Sequence, residues 1–131
     1  MAGRLALDSN IVITFIKGDG EVKHLISNVD EVLLPAPVVG ELIYGALKSQ
    51  NVEKNLALHL SFIERTNIIS CDFAVAKLYG SIRTQLFSQG APIPENDIWI
   101  AACCFEANVA LATRDTHFSR IPNLGIRMLD S

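Results

Sequence analysis

Charged residues are scarce in this sequence: Asp, Glu, Lys and Arg make up 19% of its 131 positions, while half are hydrophobic. That balance excludes a disordered chain, which cannot bury enough apolar surface to offset the entropy of folding. Low-complexity tracts, repeats and linker-like stretches are absent too, so residues 1–131 read as one domain with a single core. Long apolar runs are also missing. The longest, "IWIAACCF" from Ile98 to Phe105, is far too short to span a bilayer, and Asp8 interrupts the opening segment before a signal-peptide core can form. A cytoplasmic location is expected. Cysteine is sparse: Cys71, Cys103 and Cys104 lack CxxC spacing, sit in apolar contexts and are expected to be buried, reduced thiols. They are too few for a zinc site. Nor is there an excess of positive charge. A net charge of −3 and a pI near 5.5 weigh against nucleic-acid binding, because phosphate contacts want Lys and Arg.

What is present is an alternation of strands and helices. "RLALD" reads as a strand ending at Asp8, "SNIVITFIKG" as a helix closed by Gly18, "EVKHLISNV" as a second helix, and "EVLLPAP" as a buried strand ended by prolines. "PVVGELIYGALKSQ" carries Val38, Leu42 and Ala46 at helical spacing, with Pro37 in the first turn. "VEKNLALHLSFIERT" is a further amphipathic helix, with Leu56, Leu60 and Ile63 expected inward. "NIIS" is a third strand, and "DFAVAKLYGSIRTQLFSQG" a long helix between an Asp72 start and a Gly90 stop. A loop with Pro92 and Pro94 leads into the helix of "NDIWIAACC"; "VALAT" and "GIRMLD" supply a fourth and fifth strand. The fold class is α/β: one domain with a mainly parallel five-stranded sheet flanked by helices on both faces. In such sheets ligands bind beyond the carboxyl ends of the strands, where strand order reverses. With the first strand central and the fourth beside it, that crevice lies between Asp8 and Asp115.

Asp97 stands directly before an apolar helix, and the reason for a carboxylate there is not obvious from its neighbours. Asp8, Asp97 and Asp115 each sit where an Asp caps a helix or turn, or gains from the helix dipole. Glu41 does not fit that explanation. It lies a full turn inside "VVGELIYGA" among apolar residues and Gly, on a solvated face near Lys48 or else in a site. Four carboxylates at one sheet edge would repel each other unless a cation sat among them. Hard divalent ions are the usual answer, Mg²⁺ in particular, and the chemistry they serve there is phosphodiester hydrolysis. A bound cation would reverse the sign of the site and weaken the objection raised by the pI.

"LALDSNIVI", "VVGELIYGA", "PENDIWIAA" and "LATRDTHFSRI" resemble the successive motifs of the PIN-domain ribonucleases, closest to the VapC-type toxins of bacterial toxin–antitoxin pairs. The resemblance covers nearly the whole chain, and "NDIWIAA" is its most specific piece. It implies an Mg²⁺-dependent endoribonuclease, with Mn²⁺ as a substitute, in which Asp8, Glu41, Asp97 and Asp115 are catalytic and Asp8 and Asp97 are metal ligands. It also implies an RNA substrate, a homodimer, and a DNA-binding antitoxin that inhibits through its tail, so that DNA is met only through that partner. Many relatives carry an acid close after the position of Asp115, near where this chain has His117.

Ser9, Asn10 and Thr113 are supporting candidates, as small polar residues beside the acids. Arg114, Arg120, Lys48 and Arg83 are candidates for RNA contact, with ordinary surface charge as the alternative for each. His24, His59 and His117 show no ligand or triad spacing. Tyr44, Phe62, Phe73 and Tyr79 read as core or interface. Two rival readings stay open: a PIN-fold RNA-processing nuclease without an antitoxin, and a catalytically silent protein-binding module.

Overall fold

The structure, a computed structural model, describes residues 3–130. Five strands, β1 (Arg4–Leu7), β2 (Glu31–Pro35), β3 (Asn67–Ile69), β4 (Ala110–Thr113) and β5 (Ile126–Met128), form one sheet in the order β3-β2-β1-β4-β5. Every strand pair is parallel, so the sheet is wholly rather than mainly so. Parallel neighbours need long crossovers, and helices supply them. They are α1 (Ser9–Ile16), α2 (Gly20–Ser27), α3 (Ala36–Leu47), α4 (Val52–Glu64), α5 (Phe73–Ser88) and α6 (Glu95–Ala107), with a 3₁₀ turn at Thr116–Arg120.

Consecutive residues Leu5, Ala6 and Leu7 are all buried, as are Leu111, Ala112 and Thr113. Burial without alternation means that both faces of the central strands are covered. The α6 helix is buried on most of its circumference, from Ile98 through Cys104 except at half-buried Trp99. Its Ala and Cys side chains let α3, α5 and the sheet approach closely. No helix among the described residues is long and apolar enough to cross a membrane.

Some expected core positions are corrected. In α4 the inward stripe is set by Phe62, whose ring lies 5.3 Å from that of Phe15, and by His59, whose Nδ1 is 2.7 Å from the Leu42 carbonyl oxygen. Leu60 follows His59 by one helical step, about 100° round the axis, and is therefore turned outward and exposed. Tyr44 and Phe73 are exposed and so are not part of this chain's core, whereas Phe62 is buried. Of the cysteines, Cys103 and Cys104 are buried, but Cys71, in the β3–α5 connection, is exposed with its Sγ 3.8 Å from that of Cys103.

The chain runs outward from β1 through β2 to β3, then returns to place β4 on the other side of β1. The strand order reverses at β1/β4. Residues after β1 and β4, and the first turns of the helices that follow or precede them, therefore gather at one edge.

Candidate functional site

Asp8 follows β1 directly, and its backbone N–H donates to the Ala112 carbonyl of β4 at 3.0 Å. Its carboxylate caps α1 by accepting the Ser9 N–H at 2.9 Å, and accepts the Thr113 hydroxyl at 2.6 Å and the Asn10 amide at 3.3 Å. Capping and siting are both true of Asp8. Thr113 in turn accepts the Asp115 N–H at 3.0 Å, and Asp115 caps the 3₁₀ turn by accepting the His117 N–H at 2.9 Å. The small polar residues thus join the ends of β1 and β4 into one hydrogen-bonded chain.

Asp97 differs from both. The α6 helix begins two residues before it, its N-cap is Pro94, and no side-chain cap bond forms there. The Asp97 carboxylate instead points among charges: its Oδ2 lies 3.6 Å from His117 Nδ1, and that nitrogen is 3.0 Å from Asp115 Oδ1. Burial pushes its pKa up to about 6, and the negative charges of Asp115, Asp8 and Glu41 push the same way, against a lowering by His117. Asp8 is also raised, by burial first, with the bonds from Thr113 and Ser9 opposing. Glu41 sits at the exposed lip on α3, its pKa raised by burial of the carboxyl and by Asp8, with Ser9 and Asn96 beside it. Four carboxylates separated in sequence therefore sense one another across the β1/β4 edge.

Two observations bear on whether a cation fits. Ligand atoms of Asp97, Asp115 and His117 all lie within 4.8 Å of one another. His117 Nδ1 and Asn10 Oδ1 are buried polar atoms without hydrogen-bond partners. The His117 ring is thus near Asp115 in distance but out of line for a hydrogen bond. A convergent set of carboxylate oxygens and an unengaged nitrogen suits a divalent ion. His117 corrects the sequence reading: its spacing carries no motif, and only the 3₁₀ turn brings its ring between the two acids. Asn96, one residue before Asp97 and beside Glu41, likewise offered no signal in the sequence.

The basic candidates separate. Arg114 is tied inward: its Nε donates to the Asp130 carbonyl at 2.7 Å, one terminal nitrogen to Thr14 Oγ1 at 3.0 Å, and the other lies 3.9 Å from Asp19. Arg120 is exposed and donates to the Pro92 carbonyl at 3.1 Å. Arg83 is exposed, donating to the Tyr79 hydroxyl at 2.6 Å, which itself donates to Glu95 at 2.7 Å. Both flank the segment that leads into Asp97. Lys48 lies over the Tyr44 ring, 4.9 Å from its centroid, at the far end of α3.

Known proteins share this fold. The family model described as "PIN domain" matches residues 5–124. The tRNA(fMet)-specific endonuclease VapC of Shigella flexneri is 34% identical over 124 residues, 92% of this chain and 94% of that one. Ribonuclease VapC1 of Haemophilus influenzae is 33% identical, over 90% of this chain and 92% of its own. Among solved structures, VapBC2 from Rickettsia felis, bound to a DNA fragment from their promoter, superposes with a TM-score of 0.89 at 30% identity, covering 97% of this chain and 99% of that one. With its wholly parallel sheet and its acids gathered at the β1/β4 edge, the chain belongs to the PIN domain family, in the VapC-type branch.

Proposed function

We propose that the chain is a divalent-metal-dependent endoribonuclease and the toxin of a toxin–antitoxin pair. The observation that carries this reading is Asp97, a carboxylate without a capping bond, aimed into a group of acids, its pKa raised to about 6 by burial first and by those acids next. A helix start gains from a negative charge in its first turn, but not from crowding that charge among three further carboxylates. The names of the Shigella and Haemophilus relatives support RNA as substrate.

Asp8, Asp97, Asp115 and His117 are the residues that would hold Mg²⁺ or Mn²⁺. When bound, the ion would acidify a water and offset charge on the attacked phosphate. The protein's own contribution is positioning. Thr113 and Ser9 fix the Asp8 carboxylate, Asp115 is fixed by its cap on the 3₁₀ turn, and Glu41 remains open to solvent and substrate. Arg83 and Arg120, on either side of Pro92–Glu95, would meet phosphates of the RNA strand entering the site. Hydrolysis adds water at phosphorus and releases a sugar oxygen.

The partner is an antitoxin whose tail docks beside the site and whose DNA contacts bring the pair to DNA, a reading supported by the Rickettsia pair on promoter DNA. The protein itself forms a homodimer through α5. Phe73 and Phe87 are exposed at 77% and 82%, and at 100° per residue they project within about 40° of one another. Lys77, Gly80 and Thr84 fall between them on the same stripe, a surface suited to an isologous pairing of two copies.

Purified protein incubated with RNA, with and without chelator, tests the reading. Cleavage is expected with Mg²⁺ or Mn²⁺, abolished by EDTA and by Asp97→Asn, and inhibited when the adjacent gene product copurifies. Cleavage at full rate in EDTA would reject the metal, and full activity in the complex would reject the antitoxin.

A further inference from the structure

Resting on that metal-site reading, we infer that His117 is a nitrogen ligand of the ion held by Asp97 and Asp115, and that it biases the site toward Mn²⁺ over Mg²⁺. His117 Nδ1 lies 3.0 Å from Asp115 Oδ1 and 3.6 Å from Asp97 Oδ2. Donors on adjacent corners of an octahedral ion with bonds of about 2.1 Å are about 3 Å apart, and on opposite corners about 4 Å apart. The two separations fall in that range.

Nδ1 is buried, close to both carboxylates, and hydrogen-bonded to neither. A buried nitrogen in that condition calls for a partner. The ring's position is not set by attraction to the acids alone. The backbone N–H of His117 donates to Asp115 Oδ1 at 2.9 Å, and this cap of the 3₁₀ turn fixes where the ring leaves the chain.

The consequence is selectivity. Both ions favour oxygen donors, but Mg²⁺ takes them almost exclusively, whereas Mn²⁺, a first-row transition ion, accepts a single imidazole beside carboxylates more readily. Replacing one carboxylate of an all-oxygen site by imidazole also removes a negative charge, which weakens both divalent ions, so the bias comes from the nitrogen donor. His117 therefore makes ion choice a property of this chain's own fourth motif.

The test uses the purified full chain and Mn²⁺ as probe. Pulsed EPR of bound Mn²⁺ should show coupling to a histidine ¹⁴N that changes to the ¹⁵N pattern when histidine is ¹⁵N-labelled. The coupling should vanish in His117→Asp and in His117→Ala, with folding of each checked by circular dichroism. Calorimetric titrations should show the Mn²⁺/Mg²⁺ affinity ratio falling about tenfold in His117→Asp, the size expected when a metal-site residue is changed. Mn²⁺ that binds the wild type, is lost in Asp97→Asn, and shows no nitrogen coupling would overturn the role of His117 while leaving the carboxylate site standing. Mn²⁺ that fails to bind the wild type, or binds Asp97→Asn undiminished, would overturn the metal site itself.

Discussion

The Thr113 hydroxyl donates to Asp8 Oδ2 at 2.6 Å, joining two residues 105 positions apart across the β1/β4 edge. Thr113 is fully buried and Asp8 nearly so, so this bond fixes an acid that would otherwise be costly to ionise there. Thr113→Val keeps the shape and removes the hydroxyl, leaving Asp8 Oδ2 with Asn10 alone and the Asp115 N–H without its acceptor. A loss of about 1–3 kcal/mol in urea unfolding is expected. Thr113→Ser should retain most of the stability. A valine variant as stable as wild type would mean that the bond is not formed in solution.

The acid cluster makes a signed prediction for pH. Asp97 titrates near 6 in the folded chain, above its ordinary value of 3.8, so the folded state binds a proton that the unfolded state has released. Stability attributable to this group is therefore present below about pH 4, declines as pH rises towards 6, and stays lost above it. Asp8 and Glu41 are raised in the same direction and add to the slope. Metal-free Asp97→Asn should melt higher than wild type at pH 7.5, and the two should converge near pH 4. Parallel curves across that range would show that the carboxylates do not interact.

Asp8→Asn and Asp97→Asn separate cap from ligand. Either should reduce RNA cleavage by at least ~10²-fold, as loss of metal activation of water requires. Their stabilities should differ. Asp97 makes no capping bond, so its replacement relieves repulsion. Asp8 accepts from Ser9, Asn10 and Thr113, and an Asn amide must face at least one of those donors, so Asp8→Asn should lose a measurable part of its stability. Wild-type cleavage by folded Asp97→Asn would return that residue to being part of a helix start.

Addition of Mg²⁺ or Mn²⁺ should raise the melting temperature of wild type, since an ion that binds only the folded state stabilises it by mass action. Asp97→Asn should show a much smaller rise. An equal rise in both proteins would place the stabilising ion elsewhere.

Phe87→Glu places a charge on the most exposed aromatic of α5. Light scattering should report a dimer for wild type and a monomer for the variant, with an unchanged melting profile at low concentration. A monomeric wild type would remove α5 as a dimer face.

The sequence by itself determined the class of fold and the identity of the acids. Strand and helix periods depend on local order along the chain: "LALD", "NDIWIAA" and "LATRD" each carry their acid just after a strand or in the first turn of a helix, and "VVGE" carries its acid a full turn inside one. Five strands and six helices follow those patterns closely. Side-chain rotation and long-range pairing were not legible in the same way. Leu60 and Leu56 are alike to a periodicity argument, but the contact of Phe62 with Phe15 turns α4 so that Leu60 faces solvent. Arg114 and Arg120 flank the same motif, yet one is tied inward to Asp130 and Thr14 while the other stands beside Pro92. His117 shows no ligand spacing in the sequence, because its partner Asp97 lies on another element. The packing of α6 against β4 and the 3₁₀ turn brings that ring between Asp97 and Asp115, a proximity fixed by tertiary packing and not by separation along the chain.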